Sequence, residues 1–94
     1  MDRKDGPPMY LAFDLGAESG RAILGCLENE RLQLNEVYRF PNRPVEVGGT
    51  LHWDILRLWE EIKHGLELAF RETGGQLVSV GIDTWGVDFA LLDA

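Results

Sequence analysis

The chain is poor in cysteine, in basic residues and in long apolar runs. Its 94 residues include one cysteine, Cys26. A lone thiol excludes a disulfide framework within the chain and fits a reducing compartment. Set in an apolar run, Cys26 is expected to be a small core residue. The two histidines, His52 and His64, are far apart, and no cysteine accompanies either at metal-ligand spacing; both are expected to be structural or solvated. Nine Lys and Arg against sixteen Asp and Glu give a net charge of −7. That excludes non-specific nucleic-acid or anionic-membrane binding, which needs a basic surface. No apolar run approaches a membrane span. Met1–Pro8 is polar, holds two prolines and lacks the apolar core of a signal peptide. The expectation is a soluble, cytoplasmic chain of at most one small domain, without repeats or low-complexity segments.

What is present is a series of short periodic segments. Met1–Pro8 is expected to be a flexible lead-in. Met9–Asp14 is a continuous apolar run that suits a strand buried on both faces. Arg21–Leu27 is the next strand, followed by the polar turn Glu28–Arg31. Leu32–Phe40 alternates, which assigns Leu32, Leu34, Tyr38 and Phe40 to one face and Gln33, Asn35 and Arg39 to the other; Glu36-Val37 interrupts the pattern once. Three strands on short turns make an antiparallel meander. Pro41–Gly49 reads as a loop and Thr50–Trp53 as a short extended piece.

Asp54 then serves as an N-cap. Ile55, Leu58, Trp59, Ile62, Leu66, Ala69 and Phe70 recur at helical spacing, with Glu60, Glu61, Lys63, His64 and Glu67 mainly opposite. This predicts an amphipathic helix of about five turns that ends at Gly74-Gly75. Gly65 weakens it but permits close packing on a sheet. Trp53 and Trp59 are expected to anchor helix to sheet. Gln76–Asp83 is the fourth strand, Thr84–Gly86 a turn, and Val87–Leu92 a fifth strand. The predicted order is β-β-β-α-β-β, an α/β arrangement. Its last strand is left without cover at Ala94, as at the front of a larger protein.

Two stretches carry the chemistry. In Asp14-Leu-Gly-Ala-Glu-Ser-Gly-Arg21, a strand ends in an acid and Gly16 and Gly20 bracket a small-residue turn. Such a turn can aim successive N–H groups at a phosphate, and the acid beside it could hold a magnesium ion or its water shell. The same residues also describe an ordinary Gly-rich hairpin, and the stretch alone does not separate the two. In Gly81-Ile-Asp-Thr-Trp-Gly-Val-Asp-Phe89 an acid again follows a strand, and Asp83 and Asp88 flank Trp85 and Gly86. Carboxylates in a cleft can accept hydrogen bonds from sugar hydroxyls while an aromatic ring stacks on the sugar; the alternative is that Trp85 packs and the acids are turn residues.

Together, at this spacing and strand order, the two stretches resemble the FGGY family of carbohydrate kinases. Arg39-Phe40-Pro41-Asn42, Gly49 and His52-Trp53-Asp54 are similar to that family's passage into its first helix. The likeness covers nearly everything beyond Pro8, so 9–94 is expected to be part of an N-terminal kinase domain. It implies the actin-like ATPase (ribonuclease H-like) fold. It implies transfer of the γ-phosphoryl of ATP to the 1-hydroxyl of L-rhamnulose, with L-fuculokinase activity, or a non-catalytic actin-like nucleotide-binding module, as alternatives. It assigns Ala17, Glu18, Ser19, Gly20 and Arg21 to the ATP phosphates, Asp14 to magnesium, and Gly86, with Trp85, Asp88 and Phe89, to the sugar. Glu18 departs from the pattern, since an acid suits a phosphate loop only if its side chain points away. The family's catalytic aspartate and second phosphate loop come later in the chain than Ala94. No catalytic residue is therefore expected in this segment, and the segment alone is expected to be inactive without the remainder of the kinase chain.

Overall fold

A computed structural model describes residues 6–94. The lead-in expected over 1–8 falls mostly outside the described residues. Six strands and one long helix follow in the order β1 (Met9–Leu15), β2 (Ser19–Glu28), β3 (Arg31–Pro41), β4 (Pro44–Val47), β5 (Thr50–Trp53), α1 (Ile55–Thr73) and, after a single 3₁₀ turn at Gly74–Gln76, β6 (Leu77–Thr84). The main sheet has the order β3-β2-β1-β6, and β4 and β5 form a separate hairpin. β1 is antiparallel to β2 and parallel to β6. The sheet is therefore mixed, with α1 as the crossover into β6.

Local chemistry accounts for the elements. The β2–β3 connection is a two-residue turn with Asn29 and Glu30 at φ 53° and 63°, the paired positive values that match the twist of a hairpin. Asp54 caps α1 by accepting from the Arg57 N–H at 3.1 Å. Gly74, at φ 63°, ends it with its N–H donating to the Phe70 carbonyl.

The core lies between α1 and one face of the sheet. Leu11, Phe13 and Leu15 of β1, Ala22 and Leu24 of β2, and Phe40 of β3 meet Leu58 and Ala69 of α1, with Phe13 fully buried at 0% exposure. Cys26 is buried, as expected for a core residue. Gly65 lets the helix sit directly on the sheet: a Cβ there would stand 2.7 Å from Phe13 Cε1. Glu61 pins the same interface, accepting from Tyr38 Oη at 2.6 Å and from Arg57 Nε at 3.3 Å.

Several expectations need correction. β1 is covered on one face only; Tyr10 and Ala12 are exposed, because among the described residues a single helix packs on the sheet. α1 buries only part of the expected stripe: Leu58 and Ala69 are in the core and Ile62 packs against it, while Ile55, Leu66 and Phe70 are exposed. Glu61, Gly65 and Thr73 complete the inward face, with Gly65 set against the ring of Phe13. Trp59 is 55% exposed, beneath Lys63 Nζ at 5.7 Å from its ring centre, and anchors nothing to the sheet. Thr50–Trp53 is not an isolated piece but half of a hairpin with Pro44–Val47, inside the expected loop. The final strand at Val87–Leu92 is absent: 85–94 is turn and irregular backbone, with no neighbouring strand to share its hydrogen bonds.

The break at Glu36-Val37 is a β-bulge. Ala22 pairs with Tyr38 and Ile23 with Glu36, so Val37 is the extra residue. It places Leu32 and Leu34 on the face opposite Tyr38 and Phe40, not on the same one, because the side-chain alternation restarts after the insertion.

Candidate functional site

One edge of the sheet gathers the sequence-predicted residues. β1 and β3 run parallel to β6, so the ends of all three strands reach the same edge. The 16–19 turn, Asn42 and the 85–88 turn therefore lie there together, as does the start of α1. In open sheets with parallel strands this carboxyl edge is where ligands bind.

A row of charge crosses the sheet just behind that edge. Asp83 of β6 pairs with Asp14 of β1, Asp14 with Arg21 of β2, and Arg21 with Arg39 of β3. Directly paired residues share a face, so two carboxylates and two guanidiniums line the side away from α1. Arg21 Nη2 donates to Asp14 Oδ2 at 2.7 Å. Arg39 donates twice to Glu36, at 2.8 and 3.2 Å. The Arg39 guanidinium holds the Glu36 carboxyl below its ordinary range, with Arg21 adding a smaller pull, and Arg39 is raised in return.

The turn that should cradle phosphate is built differently from expectation. Neither Gly16 nor Gly20 has a positive φ, so their freedom in the left-handed region is not what the turn uses. Gly20 supplies space instead: a Cβ would lie 2.1 Å from Phe40 Cζ. The turn closes with the Gly16 N–H on the Ser19 carbonyl at 3.0 Å. Asn42, just past β3, clamps it. Its Nδ2 donates to the Gly16 carbonyl at 2.7 Å and its own N–H to the Glu18 carbonyl at 3.0 Å. Glu18 itself is exposed.

The second stretch folds as a turn in which the Asp88 N–H donates to the Trp85 carbonyl at 2.9 Å. Trp53 Nε1 donates to Asp88 Oδ1 at 2.9 Å, which ties the β4–β5 hairpin to this turn. Trp53 thus does more than pack against the core. Trp85 and Phe89 are exposed, the latter at 84%, and space around Gly86 is open. His52 and His64 make structural contacts, with Thr50 Oγ1 at 2.7 Å and edge-on to Tyr38 at 4.8 Å.

Asn42 and the role of Trp53 are the residues that sequence reasoning missed. The available signals were a polar residue immediately after Pro41 at a strand end and a Gly-Gly pair between two short extended runs, a recognised hairpin pattern.

No group of three or more His, Cys, Asp or Glu side chains able to hold a metal occurs among the described residues. A cage made of protein alone is thus not present. A magnesium ion shared with a bound phosphate needs only one or two carboxylates; Asp14 and Asp83 are direct partners in the β1–β6 register. Among the described residues, no helix is long and apolar enough to cross a membrane.

No protein-family model matches the chain. Curated proteins do. It is 51% identical over 83 residues to the rhamnulokinase of Oceanobacillus iheyensis and 52% identical over 83 residues to that of Bacteroides thetaiotaomicron, each match covering 88% of this chain and 17% of the relative. Against the rhamnulokinase of Bacillus subtilis it is 41% identical over 85 residues, which is 90% of this chain and again 17% of the relative. Each of these matches falls on the mixed sheet, the crossover helix and both motif turns. Over nearly all of its described length the chain is similar to curated rhamnulokinases, and it spans about 17% of the length of the relatives it matches.

Proposed function

We propose that the full-length protein phosphorylates L-rhamnulose at its 1-hydroxyl with ATP, and that this segment forms one wall of the site. One observation carries the reading: β1 and β6 are parallel and in a register that sets Asp14 beside Asp83. Two motifs some seventy residues apart in sequence thereby share one sheet edge. The fold proposed for the whole domain is the actin-like ATPase fold of the FGGY kinases.

In this reading Ala17–Arg21 meet the phosphates, and Asp14, with Asp83 beside it, accepts magnesium. The Asp14–Arg21 pair is no obstacle. Its side chains are 44% and 38% exposed, and a pair this open is worth about 0.2–1 kcal/mol. Arg21 can exchange Asp14 for a phosphate oxygen at little cost, freeing the carboxylate for the cation. Magnesium supplies neutralisation of phosphate charge, and the backbone N–H groups and Arg21 supply the rest of the positioning. Trp85, Gly86, Asp88 and Phe89 face the sugar. Asp88 keeps one oxygen on Trp53, leaving the other for a hydroxyl. The base that deprotonates the sugar lies outside this segment, which alone is inactive. The site works in the cytoplasm, and the apolar side chains exposed on α1 and β6 pack against the remainder of the kinase chain.

The test is turnover of L-rhamnulose, L-fuculose and xylulose with ATP by the full-length protein and by its Arg21→Ala variant. Preference for rhamnulose, with a raised KM for ATP in the variant, supports the reading. An equal or higher rate on fuculose moves the substrate assignment; an unchanged KM for ATP removes the phosphate role of the turn.

A further inference from the structure

We propose that Asn42 is a positioning residue for the phosphate turn, orienting two backbone amides that would otherwise be free to rotate. The inference rests on the phosphate role proposed for residues 17–21 and deepens it. Asn42 sits immediately past β3 and is only 7% exposed. It holds two carbonyls of the turn at once, Gly16 through Nδ2 at 2.7 Å and Glu18 through its main-chain N–H at 3.0 Å.

The consequence follows from peptide geometry. Every peptide bond is trans among the described residues. In a planar trans peptide the carbonyl and the next residue's N–H point in opposite directions. Fixing the Gly16 carbonyl toward Asn42 fixes the Ala17 N–H away from it. Fixing the Glu18 carbonyl does the same for the Ser19 N–H. Both amides belong to the stretch that would meet phosphate oxygens. Of the turn's other two N–H groups, those of Gly16 and Glu18, that of Gly16 is already committed to the Ser19 carbonyl. Gly16 has no side chain to resist rotation of its peptide, so the side-chain amide of Asn42 is the restraint on the first of the two donors. Donors fixed in advance are worth more to a charged ligand than donors that must be reorganised on binding.

Steady-state kinetics of the full-length protein, varying ATP–magnesium and L-rhamnulose separately, tests this. Asn42→Ala, shown by thermal melting to be folded, is expected to raise KM for ATP by about tenfold while leaving KM for the sugar nearly unchanged. Asn42→Asp gives a second reading, because it keeps the shape and the main-chain bond to Glu18. A protonated carboxyl can still donate to the Gly16 carbonyl, whereas an ionised one repels it. KM for ATP relative to wild type is therefore expected to climb as pH rises through that carboxyl's titration. Folded variants with wild-type KM for ATP at every pH overturn the proposal, as does an equal rise in both KM values or a failure of both variants to fold. If the wild-type protein turns over no ketose, the phosphate reading falls and this inference with it. An active wild type with unaffected variants removes the role of Asn42 alone.

Discussion

Replacing Gly65 with alanine sets two opposing effects against each other. In an exposed helix interior the change stabilises by about 1 kcal/mol, because glycine loses more backbone freedom on folding. At this position the added methyl meets the core. It would lie 2.7 Å from Phe13 Cε1, 3.1 Å from Phe13 Cζ and 3.3 Å from Ala22 Cβ, against about 3.5–4.0 Å for comfortable carbon contacts. Phe13 is fully enclosed and has nowhere to swing. Overpacking of this kind costs about 1–3 kcal/mol, so the net expectation is a loss of about 1 kcal/mol. Urea unfolding of the full-length protein should show a lower midpoint at unchanged slope. A double-mutant cycle sharpens the test. In a Phe13→Leu background the ring edge is gone, and Gly65→Ala should become stabilising, with a coupling energy of about 1 kcal/mol or more. If Gly65→Ala stabilises the otherwise wild-type protein, α1 does not sit on Phe13 and the packing argument is wrong.

Two further predictions use other contacts. Tyr38→Phe removes the donor to Glu61 and should cost about 1.5 kcal/mol at neutral pH, since the acceptor is a carboxylate. The bond to Glu61, with burial second, raises the Tyr38 phenol above its ordinary value; its contribution is therefore whole below about pH 10 and is lost as pH rises through the higher folded value. The stability gap between wild type and Tyr38→Phe should be flat from neutral pH upward and close only in strong alkali; a gap that closes near neutrality refutes the assignment. Trp53→Phe removes the N–H that holds Asp88 and should raise KM for the sugar by about three- to tenfold with KM for ATP unmoved. Equal effects on both substrates would mean the hairpin acts on the whole edge rather than on the 85–88 turn.

Much of the framework was legible because its elements are long and marked at both ends. The apolar run before Asp14, the Asn29-Glu30 turn, and the helix between Asp54 and Gly74 each announce themselves through residues whose local chemistry has few alternatives. The helix's inward face was legible in part: Leu58, Gly65 and Ala69 lie inward as expected, but Ile55, Trp59, Leu66 and Phe70 of the same stripe are exposed. Periodicity selects large apolar side chains, and it does not foresee Glu61 turned inward to accept from Tyr38. β4 has four residues, all exposed, so it offers no burial pattern; only Gly48-Gly49, at φ 58° and 87°, betrays the hairpin. Val87–Leu92 has strand-like composition, but a strand needs a neighbour, and composition does not provide one. Within the candidate site, Asp14 and Asp83 were each read as an acid that follows a strand, and Arg21 was assigned through the family resemblance. Their lateral alignment depends on the β1–β6 register, a pairing across some seventy residues that no local pattern encodes. Asn42 was missed because its task concerns another residue's carbonyl.

The extra residue at Val37 gives β3 two unequal halves with different allegiances. The stretch before it places leucines on the open side of the sheet; the stretch after it delivers Tyr38 and Phe40 to the helix and then Asn42 to the turn. The bulge thus acts as a phase shifter for the last third of the strand. A one-residue insertion or deletion between Gln33 and Phe40 would change more than local packing. It would exchange which side chains meet α1 and carry Asn42 one residue out of step with Gly16, so a length error made near the middle of the sheet would be felt at its carboxyl edge.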